Sequence, residues 1–130
     1  MKIVNRQQFL QMPKGTVFCK FPLTDNGDAS GMTFGIERPC ILNEVIYGFN
    51  GEPIDFWATE LGFMYYGDSS EALFDKLYEM RDNLGMEAPF EHAQDRDAEY
   101  EDDNVGFAIF SREEVQQMID ELQEALKNAY

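Results

Sequence analysis

The chain is poor in the residues that most often build a catalytic or metal centre. His92 is its only histidine, Trp57 its only tryptophan, and Cys19 and Cys40 its only cysteines. A nucleophile–base apparatus would have to be assembled on His92, which stands in a polar stretch with no Ser or Cys signature near it. Two cysteines make neither a metal-ligand pattern nor a dense disulfide framework. Both sit in apolar surroundings, Val17-Phe18-Cys19 and Cys40-Ile41-Leu42, which predicts two buried, reduced thiols. Basic residues are scarce too: ten Lys and Arg against 25 Asp and Glu, a formal charge of −15. Nothing approaches the ~20 consecutive apolar residues of a membrane span, and the opening Met1-Lys2-Ile3-Val4-Asn5 lacks the apolar core of a signal peptide. A cytosolic location is the expectation. Gly-x-Gly-x-x-Gly and Gly-x-x-x-x-Gly-Lys-Ser/Thr are absent, so the standard phosphate-cradling loops are missing.

What is present is enough for one folded domain. The 130 residues are 44% apolar, with 11 Phe, six Tyr and one Trp, a composition that separates the chain from disordered acidic tails. The charge is unevenly placed. Residues 1–66 carry seven acids and five bases, whereas residues 67–130 carry 18 acids and five bases. A protein so charged is repelled by anionic membranes and nucleic acid backbones and attracted to basic surfaces.

Along the chain, Asn5 with Gln8 forms a capping box for a short helix that Pro13-Lys14-Gly15 stops. Residues 16–21 read as a strand, 25–28 as a turn, and Met32-Phe34-Ile36 as a second strand by alternation. Residues 40–49 and 54–61 read as two more strands, with Asn50-Gly51 between them as a hairpin turn. Asp68 with Glu71 forms a capping box for a helix of about 16 residues whose apolar stripe is Leu73, Leu77, Met80 and Leu84, with Gly85 as its C-cap. Residues 86–104, polar and acidic with Pro89, read as a loop. Val105 to Phe110 is a short strand. Ser111 with Glu114 then caps a last helix striped by Val115, Met118, Ile119, Leu122 and Leu126. Strands first and helices later predict a single α+β domain over 1–130: a mostly antiparallel sheet of about five strands, with two long helices of the C-terminal half packed on one face.

The acids fall into rows. Glu71, Asp75, Glu79 and Asp82 lie opposite the apolar stripe of the first long helix, roughly 5–6 Å apart along its axis. Each like-charge neighbour costs a helix about 0.2–0.5 kcal/mol, so the row costs on the order of 1 kcal/mol before screening. The last helix carries Asp120 and Glu124, with Glu113 and Glu121, away from its stripe. Between the helices, Asp95, Asp97, Glu99, Glu101, Asp102 and Asp103 accompany one arginine within ten residues. This run fails the EF-hand template. Counted from Asp95, the sixth position is Tyr100 and the twelfth Gly106; counted from Asp97, they are Asp102 and Ala108. No cofactor or metal is implied. Charge runs are commonly no more than a solvated face. Their confinement to one half of the chain points instead to a surface complementary to a basic one, such as a groove that normally holds phosphates. No pair of carboxylates is singled out for catalysis, and a non-enzymatic binding protein is the expectation.

A second reading starts from the aromatic stretch around Phe49, Trp57, Tyr65 and Tyr66. These rings could form a stacking platform for a nucleobase, with Lys14, Lys20 or Arg38 neutralising a phosphate, which would make the chain a small-nucleotide-binding module. Homo-oligomers are compatible with either reading.

The opening run from Met1 to Phe18, a short helix, then Pro13-Lys14-Gly15-Thr16 and a strand, looks like the start of small uncharacterised proteins of bacteriophage genomes. This likeness covers roughly the first 20 residues. In size and acidity the chain also resembles phage-encoded inhibitors of bacterial defence, some of which mimic DNA in anti-CRISPR or anti-restriction roles. The resemblance implies a partner in the host cytosol, a basic nucleic-acid-binding protein or complex.

Overall fold

The computed structural model describes residues 1–23, 38–96 and 105–130, with Pro22, Asp95 and Arg96 described by backbone alone. The turn expected at 25–28 and the strand expected at 32–36 lie outside the described residues. So do five of the candidate acids: Asp97, Glu99, Glu101, Asp102 and Asp103.

The protein is α+β. Its elements run β1 (Lys2–Val4), α1 (Arg6–Phe9), β2 (Val17–Pro22), β3 (Cys40–Tyr47), β4 (Pro53–Tyr65), α2 (Ser70–Asp82), β5 (Glu91–Arg96), β6 (Val105–Ile109) and α3 (Arg112–Leu126). The strands form one open antiparallel sheet in the order β1-β6-β2-β3-β4-β5. Six strands fall among the described residues, and two of them had no expectation behind them. β1 is only three residues long, and β5 falls within the stretch read as a loop. Strands and helices do not separate along the chain, since β5 and β6 follow α2. β6, from the acidic half, lies inside the sheet between β1 and β2.

Alternation puts one face of the sheet on the core. Phe18 pairs with Ile109, Val4 with Phe107 and Leu42 with Ala58, and all six are buried. The short helix α1 closes this face by inserting Phe9 and Leu10. Its start is the expected capping box: the Asn5 side chain accepts from the Gln8 N–H at 2.8 Å, and the Gln8 side chain accepts from the Asn5 N–H at 3.0 Å. Phe9, Phe18, Phe56 and Phe107 then meet in one cluster with ring centres 4.0–5.9 Å apart. Arg6 borders it, donating through Nη2 to the Ile54 carbonyl at 3.0 Å, with Oδ1 of the buried Asp55 at 4.0 Å.

The β3–β4 hairpin turns where Asn50-Gly51 predicts, and Gly51 takes φ +79°, a conformation other residues resist. β4 runs four residues further than expected because a register shift between Glu60 and Met64 lets it continue past Gly62, at φ +81°.

The long helices depart from expectation most. α2 begins one residue later than Asp68 would place it, with Ser69 as N-cap accepting from the Ala72 N–H at 3.1 Å. It ends on Asn83, so Gly85 lies beyond the cap. Of its expected stripe only Leu73 is buried; Leu77 is exposed, and Leu84, past the helix end, is 91% exposed. α3 starts as expected, with Ser111 and Glu114 capping each other reciprocally, yet it buries no residue at all. The core face is closed by four-residue α1, and neither long helix covers the sheet as a layer.

Candidate functional site

The acid row on α2 is arranged as its spacing predicts. Glu71, Asp75, Glu79 and Asp82 are all exposed, on the side of the helix opposite Leu73. Over 11 residues the row extends about 16 Å. One charge per ~5 Å is about two thirds of the charge density along one strand of DNA, where phosphates stand roughly 3.4 Å apart. Two of the four are held locally: Lys76 Nζ reaches Glu79 Oε2 at 2.8 Å, and Arg81 Nε reaches Asp82 Oδ1 at 3.3 Å. Arg81, which has no acid three or four residues away, thus turns to its immediate neighbour. Glu71 and Asp75 make no ion pair among the described residues. Exposed pairs of this kind contribute little and leave most of the field in place. Lys76 also lies 5.1 Å from the centre of the Tyr66 ring. Its bond to Glu79 raises its pKa, with the charge of Glu79 and contacts to Tyr66 adding to the effect.

On α3, Asp120 accepts from the Gln116 side chain at 2.9 Å, and Glu124 pairs with Lys127 at 2.8 Å. Glu113 and Glu114 stand in the first turn, where the helix dipole favours acids. Glu114 is the most engaged of them: its Oε1 meets the Met1 ammonium at 2.7 Å, and its Oε2 accepts from the Ser111 N–H at 2.7 Å. The ammonium first, then the Ser111 N–H, lowers its pKa. Of the run between the helices only Asp95 is described, on β5 opposite Ala58 of β4. The α2 row is therefore the part of the anticipated acidic surface with a defined geometry.

The four aromatic candidates are not gathered into one platform. Phe49 stands fully exposed beside the β3–β4 turn. Trp57 is partly exposed in mid-strand, opposite Glu44 on β3 and Arg96 on β5. Tyr65 and Tyr66 lie at the far end of β4, eight and nine residues on, a span on the order of 25 Å. Tyr65 Oη is 3.4 Å from Ser70 Oγ, and the Tyr66 ring packs 5.6 Å from Phe90. Of the cations suggested for a phosphate, Arg38 lies 4.3 Å over the Phe63 ring, Lys14 is exposed before Gly15, and Lys20 is on β2.

Two features have no counterpart in the sequence reading. A polar cluster crosses β3, β4 and β5: Asn43 Nδ2 donates to Thr59 Oγ1 at 2.7 Å and to Gln94 Oε1 at 3.0 Å, and Gln94 Nε2 donates to Thr59 Oγ1 at 2.9 Å. Asn43 sits in the register shift between Leu42 and Glu44, where a bulge re-aims a side chain. The other is the bare apolar side of α3, whose exposure rises from 42% at Ile119 to 67% at Leu122 and 71% at Leu126. Its periodicity was legible; its lack of cover was not.

Among the described residues no group of three or more His, Cys, Asp and Glu could hold a metal ion, and no helix is long and apolar enough to cross a membrane. The chain matches no family model, no curated protein and no solved structure.

Proposed function

We propose that this is a non-enzymatic acidic binding protein that occludes a basic, nucleic-acid-binding surface of another protein. The α2 row carries the reading: four outward carboxylates on one helix side, two of them without an ion pair among the described residues. A helix that keeps such a row accepts mutual repulsion of its side chains, and a cationic counterpart relieves it. The whole-chain charge of −15 would steer the encounter and weaken it with salt. It equally turns the protein away from nucleic acids and anionic membranes. Size and acidity support a phage-encoded inhibitor acting in the host cytosol, with the nucleic-acid groove of a defence complex as its target.

The test is the double reversal Asp75→Lys with Glu79→Lys, read as affinity for a partner captured from bacterial lysate at low salt. Loss of about tenfold or more is expected. Unchanged affinity would remove α2 from the interface.

A further inference from the structure

α3 is a 15-residue helix, about 22 Å long, held at its first turns and bare at its last. Val115 and Met118 are half-buried, and Val115 and Ile119 share a cleft with Met12, Pro13 and Val17. Beyond Ile119 the apolar side is open: Leu122 and Leu126 are 67% and 71% exposed. The stripe nevertheless keeps a seven-residue repeat, Val115 with Leu122 and Ile119 with Leu126, which is the pattern of a helix that packs along a second helix. Its borders repeat as well. Glu114 and Glu121 lie along one side, Gln116 and Gln123 along the other.

We infer that the stripe of α3 docks a basic amphipathic helix of a partner protein, with apolar residues on Ile119, Leu122 and Leu126 and Lys or Arg beside Glu121. Charge chooses this occupant over a second copy. α3 carries five acids against Arg112. Antiparallel self-pairing would set the Glu114–Glu121 border against its own copy, between chains of −15 each. A cationic helix meets the same border with opposite sign. Docking deepens the acidic-surface reading, on which it rests: the field brings a basic protein in, and the stripe gives it a specific apolar hold.

The probe is a synthetic, fluorescently labelled helix-forming peptide of about three heptads, with leucine along one side and lysine elsewhere. It is titrated with the intact protein in low and in physiological salt. Two control peptides accompany it, one with the same residues scrambled out of register and one with glutamate for lysine. The patterned basic peptide is expected to bind at least about tenfold tighter than the scrambled one. Leu122→Gln with Leu126→Gln should remove that advantage; both side chains are exposed, so the fold should persist. The glutamate peptide should not bind.

Equal binding of patterned and scrambled peptides, or indifference to the double glutamine variant, overturns the proposal. So does sedimentation of the free protein as a dimer that the same variant dissociates, since the occupant is then a second copy. The two readings fail separately. If the stripe variant keeps the patterned peptide while reversal at Asp75 and Glu79 still releases the captured partner, docking falls and the acidic surface stands. If only the stripe variant has an effect, the reverse holds.

Discussion

The ring of Phe9 lies flat on that of Phe107, centres 4.0 Å apart and planes within 7° of parallel. This contact fastens the short N-terminal helix to a strand almost a hundred residues later. Phe9 also meets Phe18 and Phe56, so one side chain of a four-residue helix supplies the middle of the core. Phe9→Ala should therefore cost about 3–5 kcal/mol, the range for removing a buried aromatic. Denaturant unfolding measures it; a loss under about 1 kcal/mol would mean that α1 does not close the core.

The acid row sets partner binding against helix stability. Asp75→Gln removes like-charge contacts with Glu71 and Glu79 and installs a better helix former. Amide exchange across α2 should slow by about two- to fivefold, while affinity for a basic partner falls. Faster exchange would show that the row stabilises α2 and would contradict the relief of repulsion invoked for binding.

Glu114 gives the fold a defined acid sensitivity. Its pKa is lowered below the ordinary 4.5, first by the Met1 ammonium and then by the Ser111 N–H. A carboxylate with a depressed folded-state pKa contributes stability above its unfolded value, and that contribution disappears as pH falls through the folded one. The melting temperature of the wild type should exceed that of Glu114→Gln by a constant margin from about pH 7 to about pH 5, and the margin should shrink below about 4.5. A margin independent of pH would mean that the ion pair does not form.

The two thiols should differ in access. Cys19 is fully buried with Sγ 3.5 Å from the Arg38 carbonyl, whereas Cys40 is only half-buried, its Sγ 3.7 Å from the same oxygen. A thiol reagent should modify Cys40 first and reach Cys19 only on unfolding. Simultaneous modification would contradict the packing of β2.

Local chemistry was the legible part of this fold. Asn5 with Gln8 and Ser111 with Glu114 announce their helices because a capping box is complete within four residues. The same spacing misplaces α2 by one residue, since Ser69 competes with Asp68 and its hydroxyl takes the Ala72 N–H. β5, Glu-His-Ala-Gln-Asp-Arg, carries no β-branched or apolar alternation and owes its conformation to pairing with β4. The stripes of α2 and α3 show which side of each helix is apolar, but periodicity does not say what covers it. Leu122 and Leu126 belong to such a stripe and are exposed. The α2 acids were legible because four polar positions opposite Leu73 need only helix geometry. The separation of Tyr65 and Tyr66 from Phe49 and Trp57 required the length of β4, which the register shift past Gly62 extends.

Occlusion would make this protein and a nucleic acid mutually exclusive on the partner, which a competition titration measures. A basic partner captured at low salt is loaded with a labelled nucleic acid, and the intact protein is titrated in. Stoichiometric release of the nucleic acid is expected, weakened by added salt and by Asp75→Lys with Glu79→Lys. A ternary complex in which partner, nucleic acid and this protein remain bound together would contradict it.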